Sequence, residues 1–265
     1  MAHATRAILA TVLWSALLVS TSAGKTEREE STQSYKVGKS PRVSLSNLNG
    51  TAGITGWNGD TIEVRVTKFT SGPRARLDDV AVKVDLDGDH LRIEVEYEDT
   101  DDWHNDGVSV DFEIRVPRAT ALVNVKLVNG DLKIRDLAGD IEASSVNGEV
   151  SGIDLSGEVH LSTVNGDVSL VSVGDEPIWL KSVNGGVTLV LPQNANADLS
   201  ASTIHGDISG KLTRGVTHAG SSMDAVLGSG GRRIELVTVN GDIEIRRAGG
   251  YDARKGSRDS DDDSE

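Results

Sequence analysis

The sequence contains no cysteine among its 265 residues, and this absence excludes several classes of protein. Without thiols the chain has no disulfide framework, no thiolate zinc site and no cysteine nucleophile. It also lacks the cysteine on which a bacterial lipoprotein carries its anchor. Basic residues are scarce: 27 Lys and Arg stand against 41 Asp and Glu, a formal net charge of −14. We therefore exclude nucleic acid as a partner, because phosphate binding needs clustered cations.

Long apolar runs are also lacking, apart from one near the N-terminus. Residues 7–20 (AILATVLWSALLVS) follow Arg6 and precede the small residues Thr21, Ser22 and Ala23. The run is short for a membrane span and has the form of an export signal. We expect a signal peptide over residues 1–23, with an uncleaved anchor as the alternative. The protein is then exported, to the periplasm, the cell surface or the medium, and has no membrane span after cleavage.

Two polar segments flank the remaining chain. Residues 24–40 are predicted to be a polar linker, and residues 249–265 (GGYDARKGSRDSDDDSE) a disordered acidic tail, because neither has apolar periodicity. Residues 41–248 are predicted to form one continuous domain.

A nine-residue repeat organises that domain. Glycines recur at 130, 139, 148, 157 and 166, and an acidic residue follows each. With glycine as position 1, apolar residues fill positions 3, 5 and 8, and asparagine precedes every second glycine. The resulting corner residues are Asn129, Gly130, Asn147, Gly148, Asn165, Gly166, Asn184, Gly185, Asn240 and Gly241.

A period of nine fits either an antiparallel meander or a β-solenoid. In a straight strand, alternate residues share a face, whereas apolar positions 3, 5 and 8 slip out of alternation. Because a slip requires a bend, the pattern favours an all-β fold: a single-stranded β-solenoid (β-helix) with roughly 18-residue coils. Longer alternating strands between residues 62 and 116 predict longer strands in the N-terminal half.

The solenoid interpretation makes Asn-Gly a structural corner. Residues eighteen apart would stack, so asparagine side chains could bond to one another, and we expect asparagine to adopt the left-handed conformation. One stacked column is expected to fill the core: Val128, Val146, Val164, Val183, Ile204 and Val239.

Four segments carry a resemblance to a known family: residues 110–134 (VDFEIRVPRATALVNVKLVNGDLKI), the recurring TVNGDV, residues 191–208 (LPQNANADLSASTIHGDI) and residues 228–245 (GSGGRRIELVTVNGDIEI). They resemble the exported bacterial putative-adhesin family of β-strand repeats, the domain of unknown function 4097. The resemblance covers most of residues 41–248. It implies a β-solenoid in the cell envelope and carries over no catalytic residue and no cofactor.

Residues 102–113 (DWHNDGVSVDFE) imitate a calcium loop, with Asp102, His104, Asp106 and Glu113 at ligand positions. Asp or Asn is usual where His104 stands, and the flanks are predicted strands instead of helices. We expect a solvated acidic hairpin loop there, without metal.

Two stacked columns point outward and are candidate binding surfaces. At position 4, Glu142, His160, Trp179 and Ser200 could form a sugar-stacking site. At position 6, three apolar residues lie between cations: Arg135, Ile153, Val171, Val190, Lys211 and Arg246. This second row either is covered by the chain itself or docks a partner, and self-association is one such outcome.

The function predicted from these features is a non-enzymatic binding, adhesion-like or scaffolding module of the cell envelope. Its partner would be an envelope protein or a polysaccharide, and it would need no cofactor. The alternative is a polysaccharide-active β-helix enzyme, a glycosidase or lyase, although the acidic residues fall mainly at corners.

Overall fold

The computed structural model describes residues 26–97, 107–210, 216–219 and 221–248, and it is all-β in these ranges. In order, the strands are β1 (Glu27–Lys36), β2 (Arg42–Asn49), β3 (Ala52–Trp57), β4 (Thr61–Thr70), β5 (Val80–Asp87), β6 (His90–Tyr97), β7 (Val108–Pro117), β8 (Ala121–Asn129), β9 (Leu132–Arg135), β10 (Ile141–Asn147), β11 (Val150–Leu155), β12 (Val159–Asn165), β13 (Val168–Ser172), β14 (Ile178–Lys181), β15 (Val187–Leu191), β16 (Ala197–Ser202), β17 (Ile208–Gly210), β18 (Val216–Ala219), β19 (Ser222–Leu227), β20 (Arg232–Val237) and β21 (Ile243–Arg247). One 3-10 helix, Arg74–Leu77, follows β4. Within these described ranges, no helix is long and apolar enough to cross a membrane.

The strands form two large sheets. The ten-stranded sheet has the order β1-β4-β7-β3-β9-β11-β13-β15-β21-β17, and the eleven-stranded sheet has the order β18-β19-β16-β20-β14-β12-β10-β8-β2-β6-β5. A single cluster of buried apolar side chains, contributed by both sheets, forms the core. Each sheet therefore has one buried face and one outer face.

Consecutive strands of the repeat alternate between the two sheets. Strands β8, β10, β12 and β14 are parallel neighbours in one sheet, and β9, β11, β13 and β15 are parallel neighbours in the other. Ile141 pairs with Val159, an offset of eighteen residues (141 to 159). An antiparallel meander would instead pair each strand with the next along the chain. The repeat thus sets the register: side chains of one position stand in a row about 4.8 Å apart.

The N-terminal part departs from the predicted linker. Glu27–Lys36, within residues 24–40, forms the edge strand β1 and pairs antiparallel with β4 over ten residues. Only Tyr35 of this strand is buried. Strand β1 is held mainly by backbone hydrogen bonds to β4 and needs few buried side chains. Its sequence therefore lacks the apolar alternation by which a strand is recognised. Residues 1–23 and 249–265, the predicted signal peptide and tail, lie outside the described residues.

The first and last repeat units are not at the ends of the sheets. Strand β20 lies between β14 and β16, and β21 lies between β15 and β17. At the other end, β2 lies between β6 and β8, and β3 between β7 and β9. Each of these strands is therefore paired on both edges.

The expected core column is wrong, because its side chains face outward. Val164 is 40% exposed and Ile204 63% exposed. The residue before five of the six side chains is a buried serine or threonine instead: Ser145, Thr163, Ser182, Thr203 and Thr238. Thr163 Oγ1 donates to the carbonyl of Gly148 at 2.9 Å, and the other four hydroxyls make equivalent bonds to corner glycines. Alternation therefore runs unbroken through positions 3, 5 and 7 of these strands.

The slip that the sequence suggested occurs only in alternate units. Asp136 and Asp154 adopt positive φ angles of 58° and 56°, and the chain bends there so that Leu137 and Leu155 turn inward. The corner asparagines do not adopt positive φ, contrary to expectation; the glycine after each does, as in Gly166 at 152°.

The adjacent residues Thr163 and Val164 provide a test of this arrangement. Replacing the polar Thr163 should reduce stability more than replacing the apolar Val164, the opposite of what their hydropathies suggest. Thr163→Val should lower the free energy of unfolding by about 1–3 kcal/mol, because it leaves the part-buried Gly148 carbonyl without its hydroxyl donor. Val164→Glu should change it by less than about 1 kcal/mol, as expected for an exposed side chain. Urea denaturation of both variants measures this. A larger loss of unfolding free energy in Val164→Glu than in Thr163→Val would mean that the Val164 side chain is buried in the core.

Candidate functional site

The outer face of the eleven-stranded sheet brings three predicted site residues together. Strand pairing places Glu142 beside His160, and His160 beside Trp179. Each projects from position 4, between buried residues at positions 3 and 5, because strand residues alternate. The repeat spacing was therefore sufficient to find this row.

Ser200 does not lie beside Trp179. Trp179 pairs with Glu235 on the inserted strand β20, and Glu235 pairs with Ser200. Sequence reasoning missed Glu235, although the last TVNGDI indicated another repeat unit. The repeat contains no signal for the place of that unit in the stack.

The two rings of this row stack on each other. The imidazole of His160 and the indole of Trp179 have centroids 4.2 Å apart and an interplanar angle of 18°. His160 Nε2 also lies 2.8 Å from Glu158 Oε1. Because the rings stack along the direction from strand to strand, their edges point away from the sheet. This geometry disfavours the expected sugar stacking, since His160 covers one face of the indole.

A cavity of about 270 Å³ lies along these rings. Besides His160 and Trp179, its polar lining includes Lys126, Glu142 and Lys181. We call it the groove. It offers cationic and anionic hydrogen-bonding groups beside aromatic edges, an arrangement suited to a polar ligand with mixed charges.

The apolar row at position 6 lies on the other outer face, on the ten-stranded sheet. Ile153 pairs with Val171, and Val171 with Val190. All three side chains are half-buried. Arg135 flanks the row at one end and Arg246 at the other. Lys211, predicted as part of this column, lies outside the described residues.

A longer apolar strip runs along the eleven-stranded sheet, and all of its members except Leu48 were predicted to lie in the core. We call it the apolar ladder; in stack order it comprises Leu48, Val128, Val146, Val164, Val183, Val239 and Ile204. Four of its members are strongly exposed: Leu48, Val146, Val164 and Ile204. The serine or threonine before most of these residues is the signal that could have located it.

The polar groups at the corners are occupied in structural bonds. Asn147 Nδ2 donates to Asn129 Oδ1 at 2.8 Å, and Asn165 and Asn184 continue the asparagine ladder at 2.7 and 2.8 Å. Asp131 Oδ1 accepts from the Glu149 amide at 2.8 Å, and Asp167 Oδ1 from the Gly186 amide at 2.7 Å. The Asn-Gly-acid motif thus connects successive units.

In a comparison with sequence models of protein families, the model of the Toastrack DUF4097 family matches residues 19–246. The chain belongs to this family. Its fold is similar to the crystal structure of a putative cell adhesion protein from Clostridium sporogenes, with a TM-score of 0.50 and 13% identity over 83% of this chain and 100% of that one. At this identity the likeness concerns the fold alone.

Two further crystal structures are more distant from this Toastrack chain. A putative adhesin from Bacteroides fragilis has a TM-score of 0.30 and 10% identity, over 83% of this chain and 97% of that one. A putative lipid binding protein from Parabacteroides distasonis has a TM-score of 0.30 and 10% identity, over 84% and 97%. No curated protein matches the chain.

The calcium-loop residues Asp102, His104 and Asp106 of the Toastrack chain lie outside the described residues. Glu113, the last of the four, lies in β7, and its carboxylate is 3.3 Å from Arg65 Nη1. Its described partner is therefore a cation from the neighbouring strand.

The asparagine ladder should contribute measurably to stability. Asn147→Leu removes the two side-chain bonds that Asn147 makes with Asn129 and Asn165. We expect the free energy of unfolding to fall by about 1–2 kcal/mol, since each bond contributes about 0.5–1.5 kcal/mol. Thermal melting compared with Asn194→Leu, an exposed residue outside the ladder, measures the effect. Equal melting temperatures of the two variants would show that the asparagine ladder contributes nothing to stability.

Proposed function

We propose that this Toastrack chain is an exported, non-enzymatic module that binds or scaffolds components of the bacterial cell envelope, with an adhesion-like role. We further propose that it is a β-solenoid with coils of about 18 residues, since a period of nine with strands alternating between two sheets gives two strands a coil. The partner is an envelope protein or a polysaccharide.

The observation that carries this proposal is the outer face of the eleven-stranded sheet. It presents the groove and the apolar ladder on the same side of the same sheet. Contiguous apolar surface rimmed by polar residues is characteristic of interaction sites. A rigid sheet also holds these side chains at fixed spacing, which suits recognition of an extended partner.

A polysaccharide-active enzyme is the second candidate, and the pair of Glu158 and His160 favours it. The two side chains are 2.8 Å apart, and His160 and Glu142 line the groove. Glycosidases use two carboxyl groups on opposite sides of the scissile bond. Glu142 is the carboxyl group that lines the groove, and Glu158 is the nearest second one, through His160.

One experiment separates the two functions. The purified chain is incubated with isolated cell-wall polysaccharide, and both co-sedimentation and newly formed sugar ends are measured. We expect retention without new ends, weakened about tenfold in His160→Ala, whose imidazole is a hydrogen-bonding group of the groove. Ser169→Ala on the other outer face is the matched control and should bind like the parent.

Two outcomes would contradict the binding module. New sugar ends that disappear in Glu142→Gln would establish the enzyme. Absence of retention, both on the polysaccharide and on envelope protein extracts, would remove the binding role. Export is tested separately by the mass of the mature protein, which should begin at Gly24.

A further inference from the structure

We propose that the apolar ladder is the contact surface of a symmetric dimer, and that its occupant is a second copy of this chain. This inference rests on the proposed binding role of the outer face and names one partner for it. Four members of the ladder are exposed by more than a third, Ile204 most of all at 63%, and with the other three they form one contiguous row.

The shape of the ladder fits a flat partner. Four of its seven side chains lie in strands β2, β8, β10 and β12, and the other three, Val183, Val239 and Ile204, lie at the corners that follow β14, β20 and β16 in the same register. Such a row is straight and about 29 Å long, six spacings of about 4.8 Å. Small ligands and acyl chains bind in concave sites, whereas a flat row suits another flat surface. The groove is lined by residues of the neighbouring rows, Lys126, Glu142 and Lys181 among them, and by none of the described ladder residues.

The order of residues in the ladder is symmetric about its centre. Val164 is the fourth of seven, with two valines on each side and the larger Leu48 and Ile204 at the two ends. A two-fold axis through Val164, parallel to the strands, reverses the stack. It places Leu48 against Ile204 of the second copy, and Val164 against itself. An isologous interface requires this self-complementarity.

The charged residues next to the ladder are also compatible with this two-fold axis, because it brings no two like charges together. The neighbouring row at position 6 reads Ser46, Lys126, Ser144, Ser162, Lys181, Val237 and Ser202 in stack order. Reversal sets Lys126 against Val237 and Lys181 against Ser144, so no lysine meets a lysine. One row further, Glu142 meets Trp179, and Lys181 of the second copy lies diagonally beside Glu142.

This neutrality matters because the whole chain carries a formal charge of −14. Two such chains repel each other through most of their surface. On the groove side of the ladder, however, Lys126 and Lys181 balance Glu142 and Glu235. This balance favours a second copy over a strongly charged partner, which would find no complementary field there.

The area of the contact sets its strength. Three rows of side chains over seven strands cover about 29 by 20 Å, about 600 Å² on each copy. That is below the roughly 800 Å² per partner of a standard interface. We therefore expect a weak dimer, with a dissociation constant of about 10 µM or higher.

Sedimentation equilibrium of the purified chain tests the proposal over about 1–500 µM, the range that suits an interface of this size. We expect a monomer–dimer equilibrium that weakens about 100-fold in Val164→Glu, because two carboxylates then face each other across the axis. Lys133→Glu, at an exposed residue of β9 on the other outer face, is the matched control and should dimerise like the parent. A monomer at all concentrations, or a dimer equally stable in Val164→Glu, would overturn the proposal.

Cysteine cross-linking tests the symmetry. Because the sequence contains no native cysteine, every disulfide must form between introduced cysteines. Under oxidation Val164→Cys should form a disulfide dimer, since this residue lies on the axis. Leu48→Cys alone should not, whereas a mixture of Leu48→Cys and Ile204→Cys should form the heterodimer. Efficient cross-linking of Leu48→Cys to itself, or of Val171→Cys, would contradict the reversed register.

These measurements are independent of the polysaccharide assay. A chain that dimerises without retention on envelope material would keep the dimer and remove the proposed binding function. A chain that is retained but stays monomeric would keep the proposed binding function and remove the dimer. Melting curves of Val164→Glu verify in either case that the variant is folded.

Discussion

A chain ending at Gly231 is expected to lose its folded state, although it lacks only β20, β21 and the residues after them. In a simple repeat array, a terminal unit can be removed at a limited cost, because it contacts only one neighbour. Here β20 and β21 are inserted between β14 and β16 and between β15 and β17. Their removal interrupts both sheets and withdraws four fully buried side chains: Ile234, Leu236, Ile243 and Ile245.

The size of this loss follows from burial. Each fully buried aliphatic side chain contributes about 1.5–3 kcal/mol, so four contribute about 6–12 kcal/mol. That is comparable with the whole stability of a typical domain, about 5–15 kcal/mol. Circular dichroism and urea denaturation should show no cooperative transition for the shortened chain. A chain ending at Ala248, which keeps every described strand, is the control and should melt like the parent. A cooperative transition with only slightly reduced stability would mean that β16–β19 can pair directly with β14 and β15.

Gly166→Ala is expected to destabilise the protein by about 3–5 kcal/mol, a large effect for a single added methyl group. Gly166 has a φ of 152°, and an added Cβ would lie 2.2 Å from the Gly148 carbonyl oxygen and 2.6 Å from its carbon. Both atoms belong to backbone of the preceding corner, which is itself hydrogen bonded to Thr163. The methyl group can be accommodated only if successive corners move apart.

Two other glycines separate the clash from the backbone conformation. Gly88 has a φ of +61° with no heavy atom within 4 Å of an added Cβ, so Gly88→Ala should cost about 1–2 kcal/mol, the cost of the left-handed conformation alone. Gly53 has only the Phe112 carbonyl oxygen at 3.9 Å, so Gly53→Ala should be nearly neutral. Urea denaturation should rank the three variants in this order. Equal losses for Gly166→Ala and Gly88→Ala would show that the corners are not tightly stacked.

The register of the central strands and one candidate row could be derived from the repeat. Because side chains of one position recur every nine residues, positions 3 and 5 were assigned to the core, and residues such as Ile141, Leu161 and Leu170 are buried there. The same spacing located Glu142, His160 and Trp179 beside one another. The stacking of the two rings, in contrast, depends on side-chain torsions that spacing does not specify.

The direction of position 8 could not be derived from hydropathy. An apolar residue preceded by serine or threonine was expected inside, yet Thr163 is buried and Val164 exposed. The corner carbonyl of Gly148 decides this, because a buried carbonyl needs a donor and a valine cannot supply one. The outward direction of five of the seven ladder residues follows from this hydrogen-bonding requirement.

The sequence by itself determined the strands of the repeat, its corners and the eighteen-residue register (141 to 159), because these follow from local periodicity. It also indicated the family, through motifs within residues 110–245, and the family model matches residues 19–246. Tertiary structure alone decided which strands are neighbours where the order departs from the chain: β1 on the edge, β2 and β3 inserted near one end, β20 and β21 near the other. The physical reason is that backbone hydrogen bonds carry no sequence signature, so any strand of the correct length can pair with any free edge.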